Sequence, residues 1–285
     1  MSATFSGTTR TRPDRCPGVL RPWPADDGAL VRVRVPGGHL STAALVALAG
    51  VAEEHGDGRV RTTARANLQL RGLPLVDGSL PDEVVAAVEA TGLLPSRTHD
   101  LARNILCSPQ TGRAGGLADL RPVVAALDVA VCASPALAAL PGRFLFTLDD
   151  GRGDLAGRHR DLGLVALDRA TARVRVGAGS GPVVALERAV DVLVGLAEEF
   201  VALRGDGPDA AWHIDELRGL DTPSLDPRAG YSTTDDAVPE PLPYGQVPGG
   251  EHVAVGPDGI TRATAEEWAA RTDEVVITPW HGVLV

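Results

Sequence analysis

Arginine and asparagine are concentrated in one short segment, residues 60–72, with the sequence VRTTARANLQLRG. Arg61, Arg65 and Arg71 are separated there by four and six positions, and Asn67 lies between them. Even spacing on a strand places side chains on one face, so each half of a predicted hairpin would point its arginines the same way. The segment therefore predicts a cationic binding surface, and an exposed basic strand is the alternative.

Asparagine is scarce in this chain, which makes its positions informative. The 285 residues include no lysine and only two asparagines, Asn67 and Asn104. Asn67 lies close to Arg65, and Asn104 directly follows Arg103 in LARNILC. We therefore predict two arginine–asparagine sites.

A further candidate, Arg143, begins the strand-like sequence RFLFTLD, with a solvated strand end as the alternative. The five arginines together would form a positive pocket: Arg61, Arg65, Arg71, Arg103 and Arg143. Guanidinium groups bind carboxylates bidentately. The expected ligand is a small molecule with many carboxylates.

Composition and charge exclude several classes of protein. The chain has 27 basic and 37 acidic residues, a net charge of −10, which argues against nucleic acid or an anionic membrane as a partner. The segment and its strands offer no aromatic residues for base stacking, so an RNA-binding module is the least favoured alternative. No apolar run is long enough to span a bilayer and no signal peptide is recognisable, so we expect a cytoplasmic protein.

Cysteine and histidine spacing predicts no metal site. Cys16, Cys107 and Cys132 are far apart and form no closely spaced pair, so neither a disulfide framework nor a cysteine-only metal cage is expected. The seven histidines show no short ligand spacing.

The elements that position these residues predict an α+β protein. Residues 1–14 form a predicted flexible arm, and 15–76 a half-domain with the order strand, helix, strand, strand; its helix begins at Ser41 or Thr42 and stops near Gly56. Residues 80–219 form a central α+β domain, 220–248 a connecting segment, and 249–285 a second half-domain that repeats the first and stops in its last strand.

Within the central domain, Leu117–Leu140 is predicted to be helical with a break at Pro135, and Val183–Leu203 is the longest predicted helix. Ala210–Leu217 is a shorter predicted helix, and three strands begin near Arg143, Leu162 and Ala172. The pattern assigns no element to Asp100–Pro109.

Four ordered segments resemble the nitrite and sulfite reductase family. TTARANLQLRG resembles its T-x-R-Q/A-x-x-Q-x-x-G segment, HDLARNILCSP its D-x-x-R-N-V-x-C-x-P segment, and LPGRFLFTLD its L-P-R-K-F-K strand. The opening, DRCPGVLRPWPADDGALVRVRVPGG, is most similar to the precorrin-3B synthase branch. The resemblance extends from about Asp14 to Val285. It implies ferredoxin-like half-domains that flank a nitrite/sulfite reductase-type α+β domain and pair around a sirohaem.

The resemblance also implies roles for particular residues. The arginines matching Arg65 and Arg103 contact the tetrapyrrole carboxylates or the bound substrate in the family. Arg143 matches one of the two cations in the P-R-K-F-K strand, and Leu145 stands at the other, which argues against a reductase that polarises an oxyanion with both.

The expected function is a tetrapyrrole-handling oxidoreductase similar to precorrin-3B synthases, which oxidise precorrin-3A with O₂ in cobalamin biosynthesis. The alternatives are an assimilatory nitrite or sulfite reductase-like protein and a non-catalytic tetrapyrrole-binding half or remnant. The implied ligand is sirohaem or a precorrin-type tetrapyrrole. The family's [4Fe-4S] cluster is bound by two cysteine pairs that this chain lacks. A separate cluster-bearing subunit or electron donor is therefore an expected partner.

Overall fold

A computed structural model of the chain describes residues 14–207, 209–217 and 240–285. Most of the predicted arm and most of the predicted connecting segment lie outside these ranges. The predicted α+β class is confirmed, since five α-helices and three sheets occur in the described part of the chain. No helix within these ranges has both the length and the apolar character that crossing a membrane requires.

The first sheet is antiparallel and carries the arginine-rich hairpin. Its strand order is β1-β2-β5-β4, with the bounds β1 Trp23–Ala25, β2 Gly28–Val33, β4 Arg61–Thr62 and β5 Leu68–Leu73. Helix α1, Thr42–His55, connects β2 to β4 by way of a short strand, β3, His39–Ser41. Ser41 caps α1 as predicted, since its Oγ accepts a hydrogen bond from the Ala44 N–H at 3.1 Å. Helix α2, Asp82–Ala90, follows the sheet.

The C-terminal sheet repeats the first one. Its strands are β11 Gly245–Val247, β12 Gly250–Ala254, β13 Glu274–Thr278 and β14 Gly282–Leu284, with helix α5, Arg262–Ala269, between β12 and β13. The strand order β11-β12-β14-β13 matches β1-β2-β5-β4 position by position. The predicted repeat of element order is therefore present in the described residues.

The two repeated sheets share one hydrophobic core. Strand β3 leaves the first half and pairs with β13, with Leu40 opposite Val275, and helices α1 and α5 pack together. Gly38 precedes β3 with φ +79, and a Cβ there would fall on the carbonyl oxygen of Ile277. The β3–β13 pairing therefore depends on glycine at this position.

The central sheet combines parallel and antiparallel strands in the order β10-β9-β8-β7-β6. The bounds are β6 Ile105–Cys107, β7 Phe146–Asp149, β8 Leu162–Ala166, β9 Thr171–Val176 and β10 Gly179–Ala185. Strands β6, β7 and β8 are parallel. Helices α3, Arg121–Ala133, and α4, Leu186–Leu203, belong to the hydrophobic core of this sheet, in which Phe144, Phe146 and Phe200 are buried.

Two predictions for the central region, the start of the long helix and the shorter helix, need adjustment. The untyped segment contains β6, and the long helix begins at Leu186 because Val183 pairs with Arg173 in the β10–β9 ladder. The predicted break at Pro135 is confirmed, because α3 ends at Ala133 and a 3-10 turn follows over Pro135–Ala139. Only a 3-10 turn, Ile214–Leu217, forms in the region predicted as a shorter helix.

Candidate functional site

The two asparagines meet in the interior. Asn67 precedes β5, and its Nδ2 donates to Asn104 Oδ1 at 2.8 Å while its Oδ1 accepts from the Val35 N–H at 3.0 Å. Asn104 Nδ2 donates to the Phe144 carbonyl oxygen at 3.0 Å. Both side chains are buried. The two asparagines of the predicted arginine–asparagine sites therefore form one buried joint between the first sheet and the central domain. The amide groups of both side chains hydrogen-bond within the protein.

Three of the five predicted arginines form internal ion pairs. Arg61 Nη1 lies 2.7 Å from Asp57 Oδ2, and Arg71 Nε lies 3.1 Å from Asp27 Oδ2. These pairs hold the two ends of the hairpin to neighbouring turns.

Arg103 is the most enclosed of the predicted arginines. Its Nε and Nη2 donate to the two carboxylate oxygens of Asp128 at 2.7 and 2.8 Å, and its Nη1 donates to the Leu93 carbonyl oxygen at 2.9 Å. Its side chain is only 5% exposed. Most of its donors are therefore used within the protein, in contrast to the ligand-contacting role that the resemblance implies.

Arg65 and Arg143 lie next to each other. Arg65 Nη1 donates to the Arg143 carbonyl oxygen at 2.9 Å. The Arg143 guanidinium lies over the Trp212 ring, 5.2 Å from its centre, and its Nε lies 3.5 Å from Asp14 Oδ1. The side chain of Arg143 remains 43% exposed, so it is accessible to a ligand.

Two arginines that the sequence analysis did not select complete this group. Arg32 lies on β2 and Arg34 directly follows the strand, so the spacing of two places both on one face. Arg34 is buried and its Nη2 is 3.4 Å from the Gly142 carbonyl oxygen. The Nε atoms of Arg32 and Arg34 are buried and have no hydrogen-bond partner within the described ranges. The signal available in the sequence was the alternation of valine and arginine in residues 30–35, LVRVRV.

The arginines Arg32, Arg34, Arg65 and Arg143, here named the cationic cluster, are close enough to affect one another. Burial lowers the pKa of Arg34 to about 10, and the charges of Arg32 and Arg65 add to this shift. Burial also lowers the pKa of Arg65, with smaller contributions from Arg32 and Arg143. Concentrated positive charge in a partly desolvated place favours a multiply charged anion.

A cavity of about 660 Å³ offers a second possible binding site. Its lining includes Arg103, Asp128, His39 and Glu274 but none of the four clustered arginines. His39 and Glu274 are paired across it at 2.7 Å. The charged groups of this cavity largely neutralise each other, so the cationic cluster is the stronger candidate for binding an anion.

The three cysteines do not fit an iron–sulfur cluster. A [4Fe-4S] cluster uses four thiolates, and the chain contains three cysteines. The charged neighbours of Cys16 include Asp14 and Arg34, whereas those of Cys107 are Asp149, Asp150 and Asp154, and those of Cys132 are Asp128 and Arg103. Burial raises the pKa of all three thiols. They are separate packing residues.

One part of the chain matches a known protein family. Residues 24–77, which extend from β1 past β5, match the family described as nitrite/sulfite reductase ferredoxin-like half domain. The match covers the strands of the first sheet and agrees with the sequence resemblance over these residues.

Two known proteins are similar in sequence to parts of this chain. A precorrin-3B synthase of Sinorhizobium sp is 39% identical over 83 residues, which are 27% of this chain and 18% of that protein. A ferredoxin–nitrite reductase of Synechococcus elongatus is 35% identical over 130 residues, 43% of this chain and 25% of that protein.

The fold also matches the structure of the Mycobacterium tuberculosis NirA protein. The TM-score is 0.66 at 21% identity, over 90% of this chain and 53% of that one. The chain thus spans about half the length of this solved relative, and its alignments cover a quarter or less of the two curated relatives.

Proposed function

We propose that this chain is the tetrapyrrole-binding part of an oxidoreductase resembling precorrin-3B synthase, and that the cationic cluster binds the carboxylate arms of the tetrapyrrole. The observation that carries the proposal is the buried guanidinium of Arg34, whose Nε has no hydrogen-bond partner within the described ranges. An unpaired buried donor is costly unless a ligand satisfies it.

The chemistry of the cluster suits a polycarboxylate. Each guanidinium offers a planar set of N–H donors that matches a carboxylate bidentately. Arg65 is held by its bond to the Arg143 carbonyl, and Arg143 by its contact with the Trp212 ring. Two side chains held in this way lose less conformational entropy when they bind a ligand.

A tetrapyrrole fits these residues better than an iron–sulfur cluster does. A bound sirohaem would supply redox chemistry at its iron, and the residues of this chain would bind and orient its carboxylate arms. Leu145 is buried and apolar beside Arg143, so one clustered arginine acts where the family strand has two cations. The reduction of a small oxyanion depends on cations that polarise it. The smaller number of cations on this strand therefore supports a synthase-like role.

A nitrite or sulfite reductase-like protein is the second candidate, and the longer alignment with a ferredoxin–nitrite reductase favours it. In either case the thiols do not suffice for the cluster, so an electron donor or cluster-bearing subunit belongs to the proposal. The substrate of the synthase-like reading is precorrin-3A.

The proposal is tested by titrating the purified chain with uroporphyrin III, a tetrapyrrole with acetate and propionate arms, and following its absorbance. Arg65→Ala removes a charge-assisted hydrogen bond of about 1.5–3 kcal/mol, so the Kd is expected to rise roughly 10- to 100-fold. Arg71→Ala is the matched control, because Arg71 belongs to the same hairpin but pairs with Asp27.

The proposal requires the two variants to differ in their affinity for uroporphyrin III. Equal affinity of Arg65→Ala and Arg71→Ala would contradict binding at the cationic cluster. Arg143→Ala serves as a second variant, since Arg143 belongs to the cationic cluster and its side chain is partly exposed. Titration with sirohaem and with nitrite then distinguishes the synthase-like from the reductase-like alternative.

A further inference from the structure

Three side chains with metal-binding atoms converge beside the cationic cluster. The ligand atoms of His159, Asp161 and His213 all lie within 4.8 Å of one another. Asp161 Oδ1 is 3.3 Å from His213 Nδ1, and the two imidazole rings are 4.6 Å apart at 71°. No short spacing in the sequence reveals this group, because His213 comes from a separate turn far along the chain.

The carboxylate of Asp161 is fixed in place by the backbone. Its side chain has no solvent exposure, and its two oxygens accept from the Leu145 N–H at 2.8 Å and the Ile214 N–H at 2.9 Å. A carboxylate oxygen has a second lone pair when one is used. Hydrogen bonds that orient a ligating carboxylate in this way are typical of metal sites.

We propose that His159, Asp161 and His213 bind a divalent transition-metal ion of the borderline class that includes Zn²⁺, Co²⁺ and Fe²⁺. Two imidazoles with one carboxylate suit such ions, whereas Mg²⁺ and Ca²⁺ prefer oxygen ligands throughout. This inference goes beyond the proposed function and does not depend on it.

The observed spacing requires only a small adjustment on binding. Metal–nitrogen and metal–oxygen bonds are about 2.0–2.2 Å, so two ligand atoms on one ion are at most about 4.2–4.4 Å apart. Asp161 and His213 already meet this limit. His159 is exposed, and its side chain can rotate to close the remaining distance.

The site lies next to the cationic cluster. Trp212, under the Arg143 guanidinium, directly precedes His213, and the charge of Asp161 acts on Arg65. Three protein ligands leave at least one coordination position for water or for a carboxylate of a ligand. A bound ion would therefore extend the anion-binding surface that the arginines provide.

Cobalt titration tests this site directly. The chelator-treated chain is titrated with Co²⁺ while its visible d–d absorption is recorded. We expect one Co²⁺ per chain, displacement by Zn²⁺ and no displacement by an equal concentration of Mg²⁺. His159→Ala is expected to raise the Kd for Co²⁺ at least about 10-fold, and because His159 is exposed, the variant should still fold.

His281→Asn is the control, since His281 is exposed with φ 58 and asparagine tolerates that conformation. His213→Ala is the second variant and should weaken Co²⁺ binding as His159→Ala does. Absence of Co²⁺ binding, or equal affinity of wild type and His159→Ala, would overturn the site and leave only the Asp161–His213 ion pair. Uroporphyrin titration of the same samples keeps the two proposals apart, because a chain that binds the tetrapyrrole but not Co²⁺ refutes the metal site alone.

Discussion

Replacing Asn67 by alanine removes the centre of the joint between the first sheet and the central domain. Two buried groups lose their partners, the Val35 N–H and Asn104 Oδ1. Each unsatisfied buried group costs about 1–3 kcal/mol, so we expect Asn67→Ala to lower the free energy of unfolding by about 2–6 kcal/mol. At roughly 2–4 °C per kcal/mol for a chain of this size, the Tm should fall by about 4 °C or more.

Urea unfolding followed by circular dichroism measures this loss, with Gln246→Ala as the control. Gln246 lies exposed on β11, so removing its amide should change stability by less than about 0.5 kcal/mol. Because Asn67 and Asn104 bond to each other, the double variant should be less destabilised than the sum of the single variants, by about 0.5–3 kcal/mol. Strict additivity, or an Asn67→Ala variant as stable as Gln246→Ala, would refute the joint.

Two further predictions concern pH and backbone conformation. Burial raises the pKa of Asp154 to about 7, well above that of an unfolded carboxyl, so the folded chain binds the extra proton between about pH 4 and 7. The stability of the chain should therefore fall as pH rises through that window. Asp154→Asn should reduce the pH dependence of the urea midpoint, and an unchanged pH dependence would contradict the prediction. Gly38→Ala should destabilise by about 3 kcal/mol or more because its Cβ falls on the Ile277 carbonyl. The control is Gly58→Ala, at φ +75 with no atom within 4 Å of the added Cβ, which should cost about 1–2 kcal/mol of stability. Both variants are compared in thermal melts, and equal losses of stability would contradict the clash with Ile277.

Much of the fold could be predicted from local patterns. The cap at Ser41, the break at Pro135 and the repeated order of strands around α1 and α5 all depend on short-range signals, and all are present. The exchange of β3 into the C-terminal sheet could not be predicted, because it depends on pairing with β13, more than 200 residues away. The start of α4 was misplaced for a similar reason, since only the β10–β9 ladder decides it.

The sequence pointed to two of the four arginines in the cationic cluster. Arginine type and spacing selected Arg65 and Arg143, which meet. The same signal selected Arg61 and Arg71, and spacing alone cannot show that Asp57 and Asp27 lie beside them. Asn67 and Asn104 stood out by rarity, and the reason for their presence is the buried bond between them.

The arginines discussed above differ in how closely they pair with a carboxylate. Arg61, Arg71 and Arg103 each face a carboxylate at 3.1 Å or less, so their charge is neutralised within the fold. The cationic cluster is different, because its contacts are backbone carbonyls, the Trp212 ring and a 3.5 Å approach to Asp14. Asp14, Asp100 and Asp161 offset part of the charge of the cluster, but a guanidinium without a closely paired carboxylate is expensive to desolvate. The chain has ten more acidic than basic residues. The concentration of positive charge in the cationic cluster therefore supports the binding of an anionic ligand at the cluster.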